Sequence, residues 1–117
     1  MAPVVGERAT VSDADILRAF KGGPLSVFVS HSASREILEG LLSEANRLGI
    51  EFTVFFMDDG TQLLADSDWI ASLPDGRYAA CDLSARSRGI ESPERIVAGG
   101  QYQNAIMIHD AAHVVSL

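Results

Sequence analysis

The chain of 117 residues contains one cysteine, Cys81, in the segment RYAACDLSARSRGI at residues 77 to 90. In its thiolate form a cysteine attacks sulfur and carbon electrophiles, so this position is a candidate nucleophile. A lone cysteine can also be a buried, unreactive residue that packs as a small apolar side chain. The sequence therefore leaves two interpretations of Cys81 open, a reactive thiol and a structural residue.

Other polar groups follow predicted strands, as Cys81 does. His31 follows the apolar run LSVFVS, and Asp58 and Asp59 follow EFTVFFM, which is apolar at nearly every position. Such runs are typical of strands in parallel sheets, where chemistry collects outside the carboxyl ends. We therefore expect Cys81, the two acids and His31 along one edge, with His31 as a second candidate catalytic residue that stabilises charge at the sulfur. The alternative for His31 is an exposed loop residue.

The surrounding sequence indicates the elements that position these groups. Helices are predicted between the strands, at about 37 to 48, at about 61 to 73 and directly after Cys81, and Ser92-Pro93-Glu94 is a further helix start. In the tail QYQNAIMIHDAAHVVSL, a helix through about Asp110 fits the alternation better than the alternative, a strand at IMI. Strands are predicted near 25 to 30, 51 to 57, 77 to 81 and 113 to 116. This alternation predicts an α/β fold, a three-layer α/β/α sandwich with a mainly parallel sheet of about five strands. A helix that begins after Cys81 would favour the thiolate through its amides and dipole.

Length and composition indicate a single globular domain over residues 1–117. Residues 1–24 contain one more predicted helix, SDADILRAF at 12 to 20, with Ile16, Leu17 and Phe20 on one face. The N-terminus lacks the features of a signal peptide, and no apolar run reaches the ~18 residues that span a bilayer. With one cysteine no disulfide can form within the chain, so we expect a cytoplasmic protein.

Charge and spacing disfavour several classes of function. The net charge of −7 offers no basic stripe, so neither nucleic acid nor an acidic membrane surface is expected as a partner. The scattered histidines and the single cysteine lack the spacing of metal ligands, and no glycine pattern for a phosphate cofactor is present. The single lysine, Lys21, precedes the first strand, so the acids after the second strand lack the lysine of a phospho-receiver pocket. We predict no metal and no cofactor.

Three segments of the chain are similar to one protein family. FFMDDGTQLL at 55 to 64 resembles the end of strand two and the following helix of DsrE/DsrF-like proteins, the DsrEFH/TusBCD sulfur-relay family. CDLSARSRGI places Arg88 and Gly89 seven and eight residues after Cys81, which is similar to the family's active-cysteine segment. IHDAAHVVSL resembles its last helix and strand. The resemblance covers about residues 25 to 117, and residues 1–24 are an N-terminal extension outside it.

The resemblance implies a sulfur-transfer protein. In that interpretation Cys81 carries sulfane sulfur as a persulfide and passes it between a sulfur donor and an acceptor protein, either as a sulfurtransferase or as a carrier. The alternative is a noncatalytic subunit or binding module of the same fold, in which Cys81 is structural. The resemblance also implies assembly, and a mean hydropathy of +0.14 is high for a small domain, so we expect a homotrimer or hexamer.

Overall fold

Five short runs of the sequence pair side by side into one parallel sheet. The computed structural model describes residues 24–117, so the helix predicted at 12 to 20 lies outside the described residues. The strands are β1 (Leu25–Val29), β2 (Phe52–Phe56), β3 (Arg77–Cys81), β4 (Val97–Gly99) and β5 (His113–Ser116), in the order β4-β3-β2-β1-β5. The helices are α1 (Arg35–Arg47), α2 (Ser67–Ser72), α3 (Asp82–Ser87) and α4 (Gln101–Asp110), with 3-10 segments at Ser32–Ser34 and Asp58–Ala65. The predicted α/β sandwich is confirmed.

The main core lies on one face of this sheet. Alternate residues of a strand point to the same face, and in β1 these are Leu25, Val27 and Val29, all buried. They join a cluster with buried side chains of β2, β3, α1, α2 and the Asp58–Ala65 segment. Burial of one large apolar side chain contributes about 1.5 to 3 kcal/mol, so this face supplies most of the drive to fold.

The opposite face carries the other half of each strand. Phe28 of β1 stacks on Phe55 of β2, with ring centroids 6.0 Å apart, and Phe55 pairs in register with Ala79 of β3. The connections from β1 to β4 advance in one direction across the sheet, and α4 returns from β4 to β5. Right-handed crossovers therefore place α4 on the opposite side from the other helices, and α4 approaches β3. Alternation in β3 places Cys81 on the same face as Ala79.

The helix start predicted at Ser92-Pro93-Glu94 is wrong. The chain there makes a single turn, in which the Ile96 amide donates to the Pro93 carbonyl at 2.9 Å, and then enters β4. Val97 pairs with Ala79 of β3, so the β-branched residues after the turn extend the sheet. The helix that ends at Asp110 begins only at Gln101.

The helix predicted at about 61 to 73 is divided into two elements. A 3-10 segment covers Asp58–Ala65, and α2 covers Ser67–Ser72. Asp66 separates them because its Oδ1 accepts the backbone N–H of Trp69 at 3.1 Å, which makes it the N-cap of α2. An aspartate in this role begins a new helix instead of continuing the previous one.

Arg95 ties together the loop that enters β3. Its Nη1 donates to the carbonyls of Ile70 and Leu73 at 2.7 and 2.9 Å, and its Nη2 donates to that of Pro74 at 2.6 Å. The guanidinium lies 4.7 Å from the centroid of the Tyr78 ring, and the Tyr78 hydroxyl also donates to the Pro74 carbonyl, at 2.6 Å. One cation therefore satisfies three carbonyls at the amino end of the sheet.

The buried phenol of Tyr78 predicts a loss of stability in alkali. Burial raises the pKa of Tyr78 from 10.0 to about 12. Between these two pH values the unfolded chain releases the phenolic proton and the folded chain keeps it, so stability present below pH ~10 falls as pH approaches ~12. The loss is on the order of 2 kcal/mol. In urea unfolding, the stability advantage of wild type over Tyr78→Phe should shrink over this window. Parallel pH profiles for the two proteins would contradict the prediction.

Candidate functional site

Cys81 lies where a strand ends and a helix begins. It is the last residue of β3, which lies between β2 and β4, and it is the N-cap of α3. Its Sγ accepts the backbone N–H of Ser84 at 3.5 Å, and the residue is only partly buried. The predicted helix after Cys81 is thus confirmed, and its first turn donates an amide to the sulfur.

The residues of α3 explain why this helix is short. Asp82 stands in the first turn, where a negative charge is favourable, and pairs with Arg86 at 2.8 Å. Ala85 is the buried residue of the helix. Gly89 has a φ of 68°, a left-handed conformation that suits glycine and ends the helix. The helix therefore has little packing of its own and depends on contacts with neighbouring elements.

The turn after β2 is held close against β1. A Cβ added at Gly60 would overlap the backbone oxygen of Val29, so only glycine fits this approach. Asp58 has a φ of 47°, in the left-handed region that costs a non-glycine residue about 1 kcal/mol. The Thr61 hydroxyl holds this conformation by donating to the Asp58 carbonyl at 2.7 Å. The turn presents Asp59, whose Oδ1 accepts Arg88 Nε at 3.0 Å.

His31 follows β1 and does not adjoin Cys81. Val29 of β1 pairs with Phe56 of β2, and Phe56 pairs with Ala80 of β3. The next positions, Ser30 after β1 and Cys81 on β3, therefore lie at the same level of the sheet, with β2 between them. Two strand spacings separate β1 and β3 by about 10 Å. The ring Nδ1 of His31 lies 3.1 Å from the Ser30 hydroxyl, and the residue is exposed. The same edge thus holds both candidates, at separate positions.

Neither Ser84 nor the link between Arg88 and Asp59 was predicted from the sequence. Ser84 contributes a backbone amide, so its residue type gave no signal. The predicted helix start was the available signal, because an N-cap side chain commonly accepts from the third helical residue. The Arg88–Asp59 pair joins residues 29 positions apart, so local spacing does not reveal it.

Apolar side chains on the elements that flank β3 are exposed to solvent. Leu83 in the first turn of α3 is 71% exposed and Tyr102 in the first turn of α4 is 78% exposed. Val97, which pairs with the residue two positions before Cys81, is 54% exposed. Exposed large apolar residues are typical of a surface that meets another protein when they form a contiguous patch.

Two kinds of site are absent from the described residues, a cluster of metal ligands and a membrane-spanning helix. Within residues 24–117, no three or more His, Cys, Asp or Glu side chains are grouped so that they could hold a metal ion. In the same residues no helix is long and apolar enough to cross a membrane.

A sulfur that accepts a helix amide and is partly open to solvent can act as a nucleophile toward a sulfur electrophile.

Comparison of the chain with family models, curated proteins and solved structures gives no match. The similarity to DsrE/DsrF-like proteins therefore stays a prediction, based on the three segments quoted above.

Proposed function

We propose that this protein transfers sulfur and that Cys81 carries it as a persulfide. The observation that supports this most directly is the position of the thiol: Sγ lies at the carboxyl edge of a parallel sheet, partly exposed, and accepts the Ser84 amide. The hydrogen bond from Ser84 therefore holds the sulfur at an edge of the sheet that solvent reaches.

The proposed step is an exchange between sulfur atoms. The Cys81 thiolate attacks the outer sulfur of a donor persulfide, forms a new Sγ–S bond and breaks the S–S bond of the donor. The donor leaves as its own thiolate, and the proton of its outer sulfur stays with the transferred atom. No electrons are gained or lost overall, so the step requires no oxidant.

The chain has no second cysteine to attack the persulfide on Cys81. The sulfur must leave to a thiol of another molecule, so the protein acts as a carrier between a donor and an acceptor protein. The similarity to DsrE/DsrF-like proteins supports this role. A reducing compartment such as the cytoplasm suits the proposal because it keeps the lone thiol available.

His31 has a secondary part in the proposal. With β2 between it and Cys81, His31 acts on an acceptor bound across the edge and not on the Cys81 sulfur directly. Its imidazole is exposed at the edge where an acceptor would bind. We therefore assign His31 to sulfur transfer and not to sulfur loading.

A structural role for Cys81 is the alternative function. The sulfur is the N-cap of α3, and capping is reason enough for a polar side chain at this position. The protein would then be a noncatalytic subunit or binding module. Sulfur loading measured by intact mass after incubation with polysulfide separates the two functions, since a purely structural cysteine stays unmodified.

We infer in addition that the chain self-associates, as a homotrimer or hexamer. The exposed apolar side chains of Leu83, Val97 and Tyr102 support this because such residues are usually covered in a complex. Light scattering at micromolar concentration is expected to give three or six times the monomer mass of 12.5 kDa. A monomer under these conditions would overturn the inference.

A further inference from the structure

We propose that residues 12 to 20 of this chain bind the face of the sheet opposite the main core, over β1 and β5. The bound segment covers Phe28 and Val114, two apolar side chains that the described residues leave partly open to solvent. Binding of this segment does not depend on sulfur transfer at Cys81.

Phe28 and Val114 lie on the same face of neighbouring strands. Val114 of β5 pairs with Ser26 of β1, and Ser116 pairs with Phe28, so Val114 and Phe28 occupy consecutive positions on this face. The next residue of β5, Val115, packs instead against the main core. Phe28 is partly exposed and Val114 is 46% exposed, so the two form an apolar surface that we call the β1–β5 patch.

The described helices leave the β1–β5 patch uncovered because of the strand order. α1, α2 and α3 connect strands that advance in one direction, so they lie on the other face, where Leu25, Val27 and Val29 are buried. Among the described helices α4 alone lies on the side of the patch, and it approaches β3. Three strand spacings, about 14 Å, separate β3 from β5. Packed helices lie about 8 to 10 Å apart, so one more helix fits over β1 and β5.

The chain that precedes the described residues enters the fold beside this patch. The Pro24 carbonyl accepts the backbone N–H groups of Ala112 and His113 at 2.9 and 3.2 Å, which places Pro24 between β1 and the start of β5. The segment KGG at 21 to 23 separates Pro24 from the helix predicted at 12 to 20. Three residues reach at most about 11 Å, so this connection brings the predicted helix to the same edge of the sheet. The two glycines allow the chain to reverse direction there.

The length and the apolar face of the segment match the patch. A helix of nine residues is about 14 Å long, and the five residues of β1 extend over about 16 Å, so a helix that runs back along β1 covers the strand. Ile16, Leu17 and Phe20 lie on one face of the predicted helix, and Arg18 lies on the opposite face. Burial of these three side chains against the β1–β5 patch removes apolar surface of both partners from water.

The short connection favours the same chain over a second copy as the source of the segment. A short tether gives the segment an effective concentration at its own sheet of roughly millimolar. At micromolar protein, the segment of another copy competes poorly with it.

Thiol accessibility at position 114 tests the proposal. Val114→Cys is prepared in the full chain with Cys81→Ser, so that the new thiol is the sole one, and its rate of modification by N-ethylmaleimide is measured at fixed pH. Phe20→Asp places a charge in the apolar face of the segment, and we expect it to accelerate modification at position 114 by about fivefold or more. Arg18→Asp, on the opposite face, should leave the rate within about twofold.

A second thiol position separates uncovering of the patch from loosening of the whole fold. Leu83→Cys in the same background lies on α3, at a residue that is 71% exposed, and Phe20→Asp should leave its modification rate within about twofold. Circular dichroism checks folding, and the milder Phe20→Ser replaces Phe20→Asp if that variant unfolds. In folded variants, equal rates at position 114 with and without the Phe20 substitution, or acceleration at both positions, would overturn the proposal.

Cross-linking identifies which chain supplies the segment. The full chain with Leu17→Cys, Val114→Cys and Cys81→Ser is treated with a short bismaleimide, and we expect a product with the mass of one chain, 12.5 kDa, plus a single linker. With Arg18→Cys in place of Leu17→Cys, the cross-link should form more slowly. A product that contains two chains would assign the segment to a second copy, and either that product or the absence of a cross-link would contradict binding within one chain.

Discussion

Incubation with inorganic polysulfide is expected to raise the intact mass of the wild-type protein in steps of about 32 Da, and Cys81→Ser is expected to show no step. The reason is that a persulfide requires a thiolate, and the chain has one cysteine. Serine is similar in size, and its hydroxyl oxygen can accept the Ser84 amide that the sulfur accepts in wild type, so the helix that follows remains. The loss in this variant therefore reports chemistry at sulfur and not unfolding.

Two controls sharpen this result. Reductant should return the wild-type protein to its original mass, because a persulfide is reducible. His31→Gln should load sulfur as wild type does, since β2 lies between His31 and Cys81, and should be slower only in handing sulfur to an acceptor thiol. If the wild-type protein stays unmodified under conditions that load a known sulfur carrier, the result favours the structural interpretation of Cys81.

Replacement of Arg95 by alanine is expected to lower the free energy of unfolding by about 3 kcal/mol. The substitution leaves the carbonyls of Ile70, Leu73 and Pro74 without their cationic donor and removes the cation from the face of Tyr78. Hydrogen bonds to a charged group each contribute about 1.5 to 3 kcal/mol, and part of this loss is recovered by water because Arg95 is only half-buried. For a domain with a total stability of about 5 to 15 kcal/mol, the effect is large.

Urea unfolding followed by tryptophan fluorescence measures this loss. Arg77→Ala is the matched control, because Arg77 is exposed at the start of β3 and should change stability by less than about 0.5 kcal/mol. Arg95→Lys should recover only part of the stability, since one ammonium does not replace the planar guanidinium. Equal stability of Arg95→Ala and Arg77→Ala would show that the three bonds have no net effect.

The strands of the sheet centre were predictable, and the edge strand β4 was not. The runs that form β1 and β2 are apolar at nearly every position because both of their faces are covered. β4 has three residues, of which Val97 and Ala98 are exposed, so it carries no periodic signal. It is a strand because β3 offers an open edge beside it, which is a tertiary property.

The candidate site was predicted in its location and not in its contacts. The rule that chemistry gathers at the carboxyl ends of parallel strands placed Cys81 and His31 at one edge. The same rule does not state strand order, and the order found inserts β2 between them. The bridge from Asp59 to Arg88 depends on how the turn after β2 meets α3, which emerges only from the packed structure.

One sulfur atom ends a strand, caps a helix and, in the proposed function, holds the cargo. Folding of the first turn of α3 and the binding of sulfur are then linked equilibria, and linkage is reciprocal. A cap contributes about 1 kcal/mol, which corresponds to roughly a fivefold change in an equilibrium constant. If a bound sulfur atom changes the equilibrium constant for forming this turn by some factor, then forming the turn changes the affinity for sulfur by the same factor. If Cys81 carries sulfur as proposed, a partner that contacts α3 distinguishes the loaded from the empty protein without touching the sulfur.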